Sequence, residues 1–222
     1  MGMGMGERRQ GYELVIFDWD GTLMDSVGKI VACMARLALE LARPVPSEAA
    51  IRDIIGLSMT KALAQLFPHE TPQVYRQMQA CFRQHYLELD TTPSPLFEGS
   101  RDLLVQLKAR GYRLAIATGK GRQGLERVLQ ETGLGEYFDA SRCADEAESK
   151  PHPQMLQQLL HQLRLGPEQA IMVGDSVHDL FMAKHAGMDA IGVSYGAHSA
   201  AQLRGAGPKA IIDSAGELLA HL

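Results

Sequence analysis

Residues 12–25 read YELVIFDWDGTLMD, and this stretch decides the fold. Leu14, Val15, Ile16 and Phe17 form an unbroken apolar run, the pattern of a strand buried on both faces. The run stops at two carboxylates, Asp18 and Asp20, followed by Gly21 and Thr22. In an open α/β sheet, ligands bind beyond the carboxyl ends of the central strands. Acids two positions apart at such an end cannot both stay ionised without a compensating cation. The stretch therefore predicts a metal and a reaction, beyond the turn that Asp and Gly favour in any protein.

Downstream of Asp25 the period changes from strand to helix. Ser26 stands as an N-cap before Val27, Ile30, Val31, Met34, Leu37, Ala38 and Leu41, which recur at helical spacing. Pro44 and Pro46 end that helix, Ser47 opens a second, Gly56 breaks it, and Ser58 caps a third that Pro68 stops. A fourth runs from about Pro72 to Leu89. No strand pattern occurs between Asp25 and Thr92. From Glu98 the chain alternates, with helices over 101–110, 122–132, 151–163 and 177–186 and strands over 112–117, 138–140, 170–173, 190–193 and 210–212. Such alternation implies a parallel sheet with right-handed crossovers. The expected fold is thus α/β: a Rossmann-like parallel sheet core, residues 11–24 and 96–222, with an inserted all-helical cap domain at 25–95. Residues 1–10, MGMGMGERRQ, lack an apolar segment and read as a disordered leader, with no signal-peptide pattern.

Bulk composition narrows the function. The 222 residues are 45% hydrophobic and 22% charged, ordinary for a globular protein, and can hold one large domain with an insert. A net charge of -4 leaves no footprint for nucleic acid, and no basic cluster marks a membrane surface. No apolar run approaches the roughly 20 residues of a spanning helix. Cys33, Cys81 and Cys143 are odd in number and far apart, which suits reduced thiols in a cytoplasmic protein. No cysteine or histidine pairing has zinc spacing, so the metal is expected to be oxygen-bound.

Further polar clusters fall just past strand ends or helix starts: Thr118-Gly119 within ATGK, Lys150 within SKPHP, and Asp175 with Asp179 within GDSVHD. Taken singly, these have plainer readings as a helix cap, a solvated lysine and a turn. Together with FDWDGT they are four motifs in order along nearly the whole chain. That set resembles the haloacid dehalogenase superfamily of phosphohydrolases, and FDWDGTLMDS is most similar to its phosphoglycolate phosphatase-like branch, whose inserted helical cap matches the block after the first motif.

The resemblance implies roles. Asp18 is the nucleophile that forms an aspartyl-phosphate, splitting one hard hydrolysis into two steps. Asp20 protonates the leaving oxygen and later takes a proton from water, so it must hold a proton while Asp18 is ionised. The metal is Mg²⁺, a hard ion held by few carboxylates. Asp18 and Asp175 bind it directly, Asp20 offers only its backbone carbonyl, and Asp179 holds a metal-bound water. Lys150 neutralises the phosphoryl group, while Thr118 Oγ, the Gly119 amide at a helix N-terminus and the Trp19 and Asp20 amides bind its oxygens. In the cap, Arg52, Gly56, Leu57, Ser58 and Lys61 form the turn expected to face the core, and a cation there would suit a second anionic group such as a carboxylate.

The expected activity is a Mg²⁺-dependent phosphatase acting on a small phosphorylated metabolite, with phosphoglycolate in view, in a monomer or homodimer. A sugar phosphomutase similar to β-phosphoglucomutase and a pyrophosphatase are alternatives on the same scaffold. A signalling receiver domain is disfavoured by chain length and the helical insert, and a dehalogenase by the acid at Asp20. Phosphonate hydrolysis would need an activated lysine, which neither Lys29 nor Lys61 is marked to be. Asp25 and Leu96–Gly99 are the expected hinges.

Overall fold

The computed structural model describes residues 11–222; the leader at 1–10 lies outside the described residues. Six strands form one all-parallel sheet: β1 (Leu14–Phe17), β2 (Arg113–Ala117), β3 (Ala140–Arg142), β4 (Ala170–Gly174), β5 (Asp189–Val193) and β6 (Ala210–Ile212). Their order is β3-β2-β1-β4-β5-β6. β1 is therefore central, and alternate residues feed separate cores. Val15 and Phe17 join Leu104, Ile116 and Val173 on one face, while Leu14 and Ile16 join Leu156, Leu159 and Met172 on the other. Each such side chain taken out of water contributes about 1.5–3 kcal/mol. This explains why the run has no polar alternation.

Between β1 and the helix α5 (Ser100–Ala109) the chain makes a helical excursion: α1 (Val27–Glu40), α2 (Glu48–Asp53), α3 (Met59–Leu66) and α4 (Pro72–Gln84). These pack about a cluster of their own that includes Met34, Leu37, Ile51, Leu63 and Met78. Ser47, Ser58 and Thr71 cap α2, α3 and α4 through their hydroxyls. The outgoing and returning segments lie side by side, with Asp25 N–H donating to the Pro95 carbonyl at 2.8 Å and Phe97 N–H to the Leu23 carbonyl at 3.0 Å. The remaining helices are α6 (Arg122–Thr132), α7 (Gln154–Leu163), α8 (Val177–His185) and α9 (Ala200–Ala206).

Several boundaries differ from the sequence expectations. The fourth helix passes at His85 into a single π-turn, His85–Leu89. α7 starts at Gln154 rather than residue 151, because Pro151 and Pro153 supply no N–H and disfavour helical backbone just before them. β3 lies two residues later than expected. Asp139 instead forms the turn into it, accepting the Leu114 N–H with its carboxylate at 2.8 Å. α9 was not anticipated, although Ser199 and Gln202 form a capping box at its start.

Candidate active site

The strand order brings together the ends of β2, β1 and β4, three neighbours in the sheet. Thr118 follows β2, Asp18 follows β1 and Asp175 follows β4, so distant motifs meet where the sheet topology switches direction. One carboxylate oxygen from each of Asp18, Asp175 and Asp179 lies within 4.8 Å of the others, and all three residues are buried. Lys150, fully buried, reaches in from the loop before α7. Its Nζ stands 2.8 Å from Asp18 Oδ1 and donates to Asp179 Oδ1 at 2.6 Å.

The remaining oxygens are tied differently. Asp179 Oδ2 accepts from Ser176 N–H at 3.2 Å and from Ser176 Oγ at 2.7 Å, so both its oxygens are engaged. Asp175 accepts from the Ala197 N–H at 2.6 Å and from Thr22 Oγ at 3.2 Å. Among the described residues, neither Asp18 oxygen has an aligned hydrogen-bond donor, although the Lys150 ammonium is close. Gly21, at φ +81°, makes this packing possible: a Cβ there would lie 2.0 Å from Asp175 Oδ2.

Three carboxylates around one ammonium leave a net negative charge in a dry pocket. Burial accordingly pushes the Asp18 carboxyl up to about 7, with Lys150 opposing and Asp179 adding to the rise. Asp175 is raised well above the ordinary carboxylate range by burial and then by Asp18 and Asp179. Burial works against the Lys150 ammonium, but Asp179 and Asp18 outweigh it and hold its proton more firmly than usual. Orphaned carboxylate oxygens, an all-oxygen donor set and surplus negative charge fit a hard divalent cation. Asp18 is the group whose oxygens lack a donor, and Asp175 and Asp179, each with both oxygens already accepting from the protein, stand beside it in the same donor set. Asp179 is bonded to Lys150 and Ser176.

Asp20 faces a cavity of about 830 Å³ between the sheet and the helical insert. Its Oδ1 accepts from Ser26 Oγ at 2.5 Å and lies 3.0 Å from Lys120 Nζ. Ser26 occupies the cap position of α1 but makes no capping bond, its hydroxyl being turned to Asp20. Lys120 also donates to the Tyr86 hydroxyl at 3.3 Å. Burial opposes its charge, but Asp20 and Tyr86 more than compensate. From sequence Ser26 reads only as a helix cap and Lys120 has no role, though both stand inside the quoted motifs. Tyr86 is placed by the π-turn, for which no local pattern exists.

The other expected positions divide. Thr118 is fully buried, and its Oγ accepts the Lys120 N–H at 3.2 Å. Gly119 lines the cavity, and a Cβ on it would lie 2.7 Å from the carbonyls of Gly56 and Leu57. These residues are not at a free helix N-terminus: α6 begins at Arg122, whose N–H is taken by the Asp145 carboxylate at 3.0 Å. The Trp19 indole is buried, and the Trp19 carbonyl collects the amides of Thr22, Leu23 and Met24. Gly56, Leu57 and Ser58 do face the core, and Ser58 N–H donates to Ser149 Oγ at 2.8 Å. Arg52 and Lys61 do not reach the cavity. Arg52 binds Glu48 at 2.9 Å and the Gly196 carbonyl at 3.4 Å, while Lys61 Nζ donates to the Ser149 carbonyl at 3.4 Å. Their positions on α2 and α3 aim them along the rim, a direction that spacing alone does not reveal. His178 meets the Asp53 carbonyl at 2.7 Å. A second donor cluster, Glu40, Cys81 and His85, lies within the insert, with His85 and Glu40 in contact at 2.8 Å.

A parallel sheet whose first strand delivers two aspartates, joined by a buried lysine and a second acidic pair, defines the haloacid dehalogenase-like hydrolases, and the chain belongs to that family, in its phosphoglycolate phosphatase-like branch. The haloacid dehalogenase-like hydrolase family model matches residues 15–193. Among curated relatives, the "Probable phosphatase IndB" of Dickeya dadantii is 43% identical over 93% of this chain and 91% of its own. The phosphoglycolate phosphatase of Vibrio cholerae is 32% identical over 93% and 95%. A crystal structure described as a predicted phosphoglycolate phosphatase from Haemophilus somnus 129pt superposes with a TM-score of 0.83 at 26% identity, over 97% of this chain and 99% of that one. Among the described residues no helix is long and apolar enough to cross a membrane.

Proposed function

We propose that the chain hydrolyses a phosphate monoester of a small metabolite through an aspartyl-phosphate on Asp18, with residues 25–95 acting as a cap over the core formed by 11–24 and 96–222. The observation that carries this reading is the meeting of Asp18, Asp175, Asp179 and Lys150 in one buried cluster opening beside Asp20. Mg²⁺ held by Asp18 and Asp175 would supply positive charge to the phosphoryl oxygens and keep both carboxylates ionised.

In the first step an Asp18 oxygen bonds to phosphorus and the bond to the leaving oxygen breaks. Asp20 gives its proton to that oxygen. In the second, water attacks the acyl phosphate, Asp20 takes a proton from it, and Asp18 is released with inorganic phosphate. Lys150 offsets the charge of the phosphoryl group beside Asp18. Thr118 Oγ and the Gly119 amide would donate to its oxygens. Ser26 and Lys120 fix the orientation of Asp20.

Phosphoglycolate comes into consideration through the names of the relatives and through the idea of a cap cation for its carboxylate. Arg52 and Lys61, the cations offered for that purpose, are engaged outside the cavity, whereas Arg83 of α4 lines it. The decisive experiment is Asp18→Asn, which conserves volume and removes the nucleophile. Turnover of every phosphate ester should vanish while the circular dichroism spectrum persists; activity within tenfold of wild type would point to another mechanism.

A further inference from the structure

The cavity over Asp20 extends from the reacting end out along the insert. At the reacting end the Gly56 and Leu57 carbonyls press so closely on Gly119 that even a methyl group would not fit. From there the cavity, about 830 Å³ in all, runs out between α4 of the insert and α6 of the core. Pockets of roughly 300–1,000 Å³ serve ligands of drug size, and a two-carbon acid would leave most of this one empty. Its wall is mixed, with Met34, Ile55 and Phe82 on the apolar side and Gln79, Gln130 and Arg127 on the polar side.

Away from Asp18, Arg127 stands in that wall with its bonding incomplete. One Nη meets Glu131 at 3.1 Å, but its Nε is buried without a hydrogen-bond partner among the described residues. The side chain as a whole is 36% exposed and only one Nη is engaged, so the other Nη can donate to an acceptor on a bound ligand. Tyr86 connects this group to the reacting end. Its ring centroid lies 4.9 Å from Lys120 Nζ, itself 3.0 Å from Asp20, and 5.9 Å from the Arg127 guanidinium carbon. A leaving group that touches both ends must therefore extend past an aromatic side chain.

We infer that the substrate is the phosphate monoester of a ring-bearing alcohol, of pentose size or larger, and that Arg127 is a specificity-determining residue that donates to acceptor oxygens at its far end. This rests on the phosphatase reading above and names the substrate class of the same site. The interaction is made at the binding end, remote from phosphorus, so it acts chiefly on KM.

The test compares kcat/KM of the full chain with Mg²⁺ on phosphoglycolate, glycerol 3-phosphate, ribose 5-phosphate and nucleoside 5′-monophosphates. At least one ring-bearing ester should exceed phosphoglycolate by tenfold or more. Arg127→Met, which keeps the aliphatic stem, should shrink that ratio at least fivefold, mainly by raising KM for the ring ester. Arg127→Lys provides a second variant should the first lose its fold by thermal melting. Phosphoglycolate equal to or better than the ring esters, or a ratio untouched by folded variants, would overturn the inference and leave the phosphatase intact. Failure to hydrolyse any of them would remove both.

Discussion

The Lys150 ammonium lies 2.8 Å from Asp18 Oδ1, and neither residue has more than 1% of its side chain exposed to solvent. Two ions shielded this completely interact strongly, and the same ammonium also serves Asp179. Removing one partner of such a buried pair typically costs about 3–5 kcal/mol, because the surviving charges are left uncompensated. Lys150→Ala should therefore lower the melting temperature substantially, as well as abolish turnover. The loss should be smaller at pH 5 than at pH 8, since a protonated Asp18 no longer needs the ammonium. Melting curves at the two pH values decide this, and an equal loss at both would speak against an electrostatic origin.

The raised carboxyls of Asp18 and Asp175 link stability to pH in the metal-free protein. In an unfolded chain both titrate near about 3.9, whereas folding holds Asp18 at about 7 and Asp175 well above its usual range. The folded form thus keeps protons that the unfolded chain releases. Its advantage is complete below about pH 4 and is lost as pH rises through 7. A divalent cation favours the ionised carboxylates and removes that loss. In EDTA the melting temperature should fall between pH 5 and pH 8, and Mg²⁺ should raise it most at pH 8. Parallel pH profiles with and without Mg²⁺ would exclude the Asp18–Asp175 assignment. Activity should follow the same reagents, lost in EDTA and restored by Mg²⁺.

Ser26 offers a separation of stability from activity. A serine that caps a helix is worth about 1 kcal/mol, but this one makes no capping bond and gives its hydroxyl to Asp20 instead. Ser26→Ala should leave the melting temperature close to wild type. It should reduce kcat at least fivefold, a fraction of the ~10²–10⁴ that a positioned acid/base contributes. A large loss of stability with kcat unaltered would restore the helix-cap role.

Gly21→Ala tests how closely the β1 loop is packed on Asp175. The backbone is at φ +81°, and the added methyl would meet Asp175 Oδ2 at 2.0 Å. The variant should lose both turnover and the rise in melting temperature caused by Mg²⁺, as measured by thermal shift across a Mg²⁺ titration. Retention of a wild-type Mg²⁺ response would show that the loop relaxes without moving the acid.

Much of the fold can be read locally. Leu14–Phe17, Arg113–Ala117 and Ala170–Gly174 are apolar runs because central parallel strands are covered on both faces, and helical periodicity marks most of the insert. The acids and hydroxyl of the core site stand out because each follows a strand end or a helix start, and the lysine because it completes the set in the loop before α7. Less legible were edges set by side-chain competition, as at Asp139, and the start of α7 among prolines. The π-turn at His85–Leu89 left no mark in the spacing of apolar residues.

What the amino-acid order determined by itself was which segments become strands and which acids terminate them, since backbone bonding and burial have short periods that a single stretch records. Only the tertiary structure decided how those ends meet. The order β3-β2-β1-β4-β5-β6 sets β4 beside β1 and so closes Asp175 on Asp18. Packing of the insert then turned Arg52 and Lys61 away. Those directions depend on contacts between residues remote in the chain, which no local period encodes.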